Sequence, residues 1–183
     1  MFTKENKNDS KRIFDEILRK IRNDAEEGMR ELYEIYGRTI LNTAASVCSS
    51  YDAVNEVLNK VLVKIWQLAY KKPNIKNPGG FIYVVTINCA KDFLKAKKGL
   101  TLNEAMSSGE NNIQKVIEED AFLSLISCLT EYEKSIMIRR FFALETFKEI
   151  SEDDKKPLST ITSVYYRCLE KVENEINKIK NNL

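Results

Sequence analysis

Seven lysines, Lys71, Lys72, Lys76, Lys91, Lys95, Lys97 and Lys98, fall in one stretch that holds a single acid, Asp92. Phe81, Tyr83 and Phe93 are interleaved among them. One-sided positive charge tracks a phosphate backbone, and exposed aromatic rings stack on unpaired bases. The plainer alternative is that Phe81 and Phe93 are core and the lysines solubilise. A second group lies nearer the C-terminus. Ser159, Thr160, Thr162, Ser163, Tyr166, Arg167 and Lys171 share one face of a helical pattern. Its other face is Ile161, Val164, Tyr165, Cys168, Leu169, Val172 and Ile176. Hydroxyls bond phosphates or base edges, and a guanidinium fits a phosphate or a guanine edge. An ordinary solvated helix face would have the same polarity.

Other chemistries find little support. The chain has no histidine, hence neither the commonest general base nor the commonest metal-ligand nitrogen. Cys48, Cys89, Cys128 and Cys168 lie far apart at apolar helical positions, where a small buried hydrophobe is the natural reading. No glycine-rich phosphate loop, nucleophilic triad or acidic metal cluster is present, so neither catalytic residues nor a metal or cofactor is expected. Glu118, Glu119, Asp120, Asp153 and Asp154 read as solvated surface. The net charge of +2 is nearly neutral, so any affinity for nucleic acid must come from local patches. No run reaches the roughly 20 apolar residues of a membrane span, and the N-terminus has no apolar leader segment. A soluble, cytoplasmic protein with no membrane insertion is expected.

These groups need elements to hold them. Glycine and proline are scarce, and apolar residues recur at helical spacing, so the fold is expected to be all-α. Residues 1–9 read as disordered. A first helix is expected over Ser10–Arg22, and a second from Asp24, which has capping-box spacing to Glu27. Asp52 could cap a third helix, running to about Tyr70 with Trp66 on its inner face. Lys71–Gly80 reads as a loop, broken by two prolines and a glycine pair. A fourth helix then spans about Phe81–Lys98. Residues 99–112 are small and polar and read as a flexible linker between domains at 10–98 and 113–183. In the second domain Thr130 with Glu133, and Thr146 with Glu149, have capping-box spacing. The last helix is expected to begin near Pro157. Two short helices and a longer one with an apolar back make a helix-turn-helix pattern from Thr130 to Val172.

The order of these parts resembles the small two-domain sigma factors of bacterial RNA polymerase, of the extracytoplasmic-function type. The resemblance covers about Asp24–Val172. Leu32–Trp66 is similar to the family's first two core helices, a region-two-like unit. By that resemblance Glu56, Asn59 and Lys60 face core polymerase, with Lys60 in place of the usual acid. Gly80–Lys98 resembles the helix that melts and reads the minus-ten element. Asn88, Lys91, Asp92 and Lys95 match its Asn, basic, Asp, basic series, while Val84 and Ile87 replace common basic residues. Lys71–Gly80, with Lys71, Lys72 and Lys76, corresponds to the base-capturing loop. Phe147–Arg167 is similar to the region-four-like unit that reads the minus-thirty-five element through Ser159, Thr160, Thr162, Ser163, Tyr166 and Arg167. Asp153 and Asp154 stand where apolar residues are usual, and Lys155 where a turn glycine is usual. Either the first helix of the motif ends early or the turn differs.

The resemblance implies core RNA polymerase and promoter DNA as partners, and an anti-sigma factor as a class of regulator. Two other readings compete: a sigma-like adaptor that binds polymerase or DNA without initiating, and a free-standing helix-turn-helix regulator.

Overall fold

A computed structural model of the chain describes residues 4–100 and 124–181, whose regular elements are all helices, with no strand among these residues. The helices are α1 (Lys4–Asn23), α2 (Ala25–Ala45), α3 (Tyr51–Ala69), α4 (Pro78–Leu100), α5 (Glu131–Phe141), α6 (Phe147–Asp154) and α7 (Leu158–Asn181), with a 3-10 turn at Ile126–Cys128. The expected linker and the start of the second domain fall mostly on residues 101–123, outside the described residues. α4 runs two residues into the expected linker.

α1–α4 enclose one apolar core. Phe14, Ile17 and Ile21 of α1 meet Leu32, Tyr36 and Ile40 of α2, Val57, Val61 and Ile65 of α3, and Ile82, Cys89 and Ala90 of α4. A Cβ on Gly28 would meet the Ile21 backbone, so glycine lets α1 and α2 approach closely. Arg22 of α1 donates to the Ala69 carbonyl at 2.8 Å, serving a carbonyl at the end of α3 that has no helical partner. The second core gathers Ile126, Leu129, Ile136, Met137, Ile138, Ile150, Ile161, Val164 and Cys168.

Several element ends differ from expectation. α1 begins at Lys4, so residues 4–9 are helical rather than disordered. Apolar periodicity marks only the packed face, and extending an existing helix adds a hydrogen bond for each residue fixed. Ser50, not Asp52, caps α3, accepting from the Ala53 amide at 3.3 Å. α4 starts three residues before the expected Phe81, with Pro78 in its first turn. Asn77 accepts there from the Gly80 amide at 3.1 Å. Asparagine followed by proline is a start signal, although the two prolines and two glycines read together as a break. Both capping boxes of the second unit form, Thr130 with Glu133 and Thr146 with Glu149. Pro157 sits just before α7, its carbonyl accepting from Thr160 and Ile161.

Candidate nucleic-acid interface

α4 buries Ile82, Thr86, Cys89 and Ala90, which turns Asn88, Lys91 and Lys95 outward. Three- and four-residue spacing sets those three side chains in a single stripe. Lys97 is exposed close by, and Lys71, Lys72 and Lys76 are exposed on the preceding loop. The aromatic residues are not free for stacking. Phe81 and Phe93 pack against the first core, and Tyr83 against the second. The basic residues thus form two exposed groups, one on the loop at the start of α4 and one about 20 Å further along the helix, neither with an aromatic platform. Val84, 48% exposed, interrupts the stripe with an apolar group.

α7 buries Ile161, Val164 and Cys168 and presents Ser159, Thr160, Ser163, Tyr166 and Arg167 to solvent. Tyr166 is 63% exposed, with its ring edge-on to Tyr165, which in turn meets Phe147 edge-on. Two residues of the expected face are partly withdrawn. Thr162 is half-buried, and its hydroxyl donates back to the Leu158 and Ser159 carbonyls. Lys171 binds both oxygens of Glu133, at 2.8 and 3.0 Å, so its charge is already met within the chain.

The turn ahead of α7 accounts for the unusual acids. α6 ends at Asp154, and Lys155 adopts a left-handed conformation (φ 53°, ψ 41°). The Lys156 amide then donates to the Ser151 carbonyl at 3.1 Å, and the Ser151 hydroxyl to the Lys156 carbonyl at 2.6 Å. Lysine therefore takes the conformation that glycine adopts without a Cβ penalty. Asp153 and Asp154 are not simply solvated surface. Arg139 of α5, 3% exposed, donates to Asp153 at 2.8 Å and to Asp154 at 2.7 Å. Its Nε and Nη2 also grip Glu145 in a fork at 2.8 and 2.7 Å. Burial opposes charge on both members of that pair and pushes the Glu145 carboxyl upward. Two-point contact and two further acids are nonetheless the geometry of an ionised cluster, and they hold Arg139 charged. The Arg139–acid cluster was not visible in the sequence, since Arg139 and Asp153 lie fourteen positions apart on different helices.

The expected polymerase-facing residues, Glu56, Asn59 and Lys60, are exposed together on α3. Lys60 pairs with Glu56 at 3.3 Å and lies 5.0 Å over the Phe93 ring of α4. Val63, Trp66 and Tyr70 extend this exposed side of α3, and Trp66 is 41% exposed rather than inside. The signal was present. Val54, Val57, Val61 and Ile65 already complete one inner stripe, and Trp66 lies off it. Cys128 is also exposed, unlike the other three cysteines, because it closes the 3-10 turn at the edge of the second core.

Between the two cores lies a polar seam. The Thr39 hydroxyl donates to the Phe142 carbonyl at 3.1 Å, and the Tyr83 hydroxyl to the Ser135 hydroxyl at 2.7 Å. The Asn77 amide donates to Glu145 at 3.4 Å. Arg38 lies 5.3 Å over the Phe142 ring, and Arg139 the same distance over Tyr83.

No family model matches the chain, and no curated protein matches it.

Proposed function

We propose that the chain is a bacterial sigma factor of the extracytoplasmic-function type, which binds core RNA polymerase and directs promoter-specific initiation. In this reading the α1–α4 unit docks on polymerase through Glu56, Asn59 and Lys60. It opens the minus-ten element with Lys71, Lys72, Lys76, Asn88, Lys91 and Lys95. α7 reads the minus-thirty-five element in the major groove. The observation that carries the reading is the pairing of two outward faces on one chain. One is the basic stripe of α4, and the other is the hydroxyl-and-arginine face of α7, each built on its own apolar core. Tethering makes the second DNA contact intramolecular, so neither face needs high affinity alone. The protein acts as a binding factor rather than an enzyme, and its place is the cytoplasm. No described helix is long and apolar enough to cross a membrane.

Run-off transcription with purified core polymerase tests this. Promoter-specific transcripts are expected only when the chain is added, and their absence with a matched core and promoter would refute the reading. A second reading, a sigma-like adaptor that does not melt DNA, is favoured by Val84, which puts an exposed apolar group on the α4 stripe. The adaptor would co-purify with core polymerase yet leave thymines near the start site unreactive to permanganate. An anti-sigma partner belongs to the main reading, and a pull-down from the native cell that recovers polymerase alone would count against it.

A further inference from the structure

Three large apolar side chains are left exposed at one place. Ile13 belongs to α1, Ile35 to α2 and Leu144 to the α5–α6 connection. They are far apart in the sequence, yet all three line one cavity of about 250 Å³. Tyr36, Pro78, Phe142 and Ala143 complete its apolar lining. A single exposed isoleucine or leucine needs no explanation, whereas apolar groups gathered around a concavity mark a ligand site. Leu144 also holds a left-handed backbone (φ 55°), a conformation a bulky residue adopts only where its surroundings impose it. Strain of that kind clusters at ligand clamps. An apolar cavity of about 150 Å³ holds a benzene ring, so this one admits about ten non-hydrogen atoms.

The polar rim decides the class of ligand, and most of it is already engaged. Asn77 accepts from Gly80 and donates to Glu145. Thr146 and Glu149 close the capping box of α6. Asp9 lies 3.4 Å from Arg12, and Ser10 is hydrogen-bonded to the Tyr36 hydroxyl. Lys76 differs. It is exposed, and its ammonium meets no acid, hydrogen-bond acceptor or ring among the described residues. One unmatched cation at the mouth of an apolar hollow selects an amphipathic anion. Asp9 and Glu149 stand on the same rim and would repel a doubly charged phosphate more than a carboxylate. We infer that the cavity binds a medium-chain carboxylate of about eight carbons, the ten non-hydrogen atoms it admits less the two carboxylate oxygens. The tail lies among Ile13, Ile35 and Leu144, and the head pairs with Lys76. Nothing in this site depends on the sigma-factor reading.

Calorimetric titration of the full chain with octanoate tests this, beside octanol and octylamine, which change only the head. Octanoate should bind the parent saturably with a Kd of roughly 0.1–1 mM, as expected for a ligand of its size. Octanol and octylamine should bind at least about fivefold more weakly, the worth of one part-exposed ion pair. Lys76→Ala should weaken octanoate by about the same factor and leave octanol unchanged. Two fillers close the cavity from different helices, Ile13→Trp on α1 and Ile35→Trp on α2, so a folding failure of one leaves the other. Circular dichroism identifies the folded filler, which should lose octanoate binding. Amide shifts in the parent on adding octanoate should centre on Ala143 and Leu144. No saturable binding of octanoate below the concentration at which it self-associates overturns the site. So does binding that a folded filler leaves intact. Octylamine binding as tightly as octanoate, or a Lys76→Ala variant as tight as the parent, overturns the assignment of a carboxylate.

Discussion

Removing Arg139 would leave Glu145, 1% exposed, without its cation, and would release Asp153 and Asp154 from the same partner. A buried charge stripped of its partner costs about 3–5 kcal/mol, whereas an apolar replacement of the whole pair can be neutral or better. Arg139→Ala should accordingly lower the unfolding free energy obtained from a urea titration by an amount in that range. Arg139→Met combined with Glu145→Leu should recover most of the loss. A single variant as mild as an exposed-lysine change would refute the cluster's role. Its members show why acids are hard to read in a sequence. Asp153 and Asp154 look like solvated charges because exposure is what unpaired carboxylates need. Their actual surroundings are set by a residue on another helix. Lys171 is the mirror case, a cation on the expected DNA face that Glu133 occupies.

Helix ends were more legible than helix partners, because a cap is a local interaction. Thr130–Glu133 and Thr146–Glu149 closed as their spacing predicts, and the inner face of α7 followed its periodicity. The starts of α1 and α4 and the cap of α3 did not, since polar extensions and prolines at first turns leave no apolar trace. One element-level prediction concerns the turn before α7. A non-glycine residue in the left-handed region costs about 1–3 kcal/mol. Lys155→Gly, after the entropic penalty of glycine, should raise stability by about 0.5–1 kcal/mol in thermal melts. A lower melting temperature would show that the lysine side chain contributes more than its backbone costs. A second concerns pH. Hydrogen bonding from Lys171 and from Thr130 holds the Glu133 carboxyl below its ordinary range. A lowered folded value means stabilisation that is complete above the unfolded value near 4.5 and is lost as pH falls through the folded one. The stability gap between the parent and Glu133→Gln should therefore narrow steadily below about pH 4, and a gap that is constant or widens toward acid would contradict the pairing.

At the scale of the whole molecule, two apolar cores could be read from the periodicity, but the surface on which they meet could not. Thr39, Tyr83 and Ser135 are scattered polar residues with no pattern of their own, and nothing in their spacing announces that they face one another across the chain. Trp66 was placed inside for a related reason. An inner stripe already satisfied by Val57, Val61 and Ile65 leaves Trp66 outside, although its ring alone suggests burial. Asn77 joins the two scales. Its side-chain Oδ1 accepts the Gly80 amide at the start of α4, while its side-chain Nδ2 reaches Glu145 across the seam. One side-chain torsion therefore serves both the first turn of a helix and the docking of a distant unit. The Gly80 backbone proton becomes an intrinsic reporter of that docking. In amide exchange followed by NMR it should be slow in the parent and markedly faster in Ser135→Leu, while Thr86 and Ala90, deeper in the same helix, keep their rates. A label-free clock of this kind would measure how often the two halves of the molecule part, with no dye attached and no ligand present.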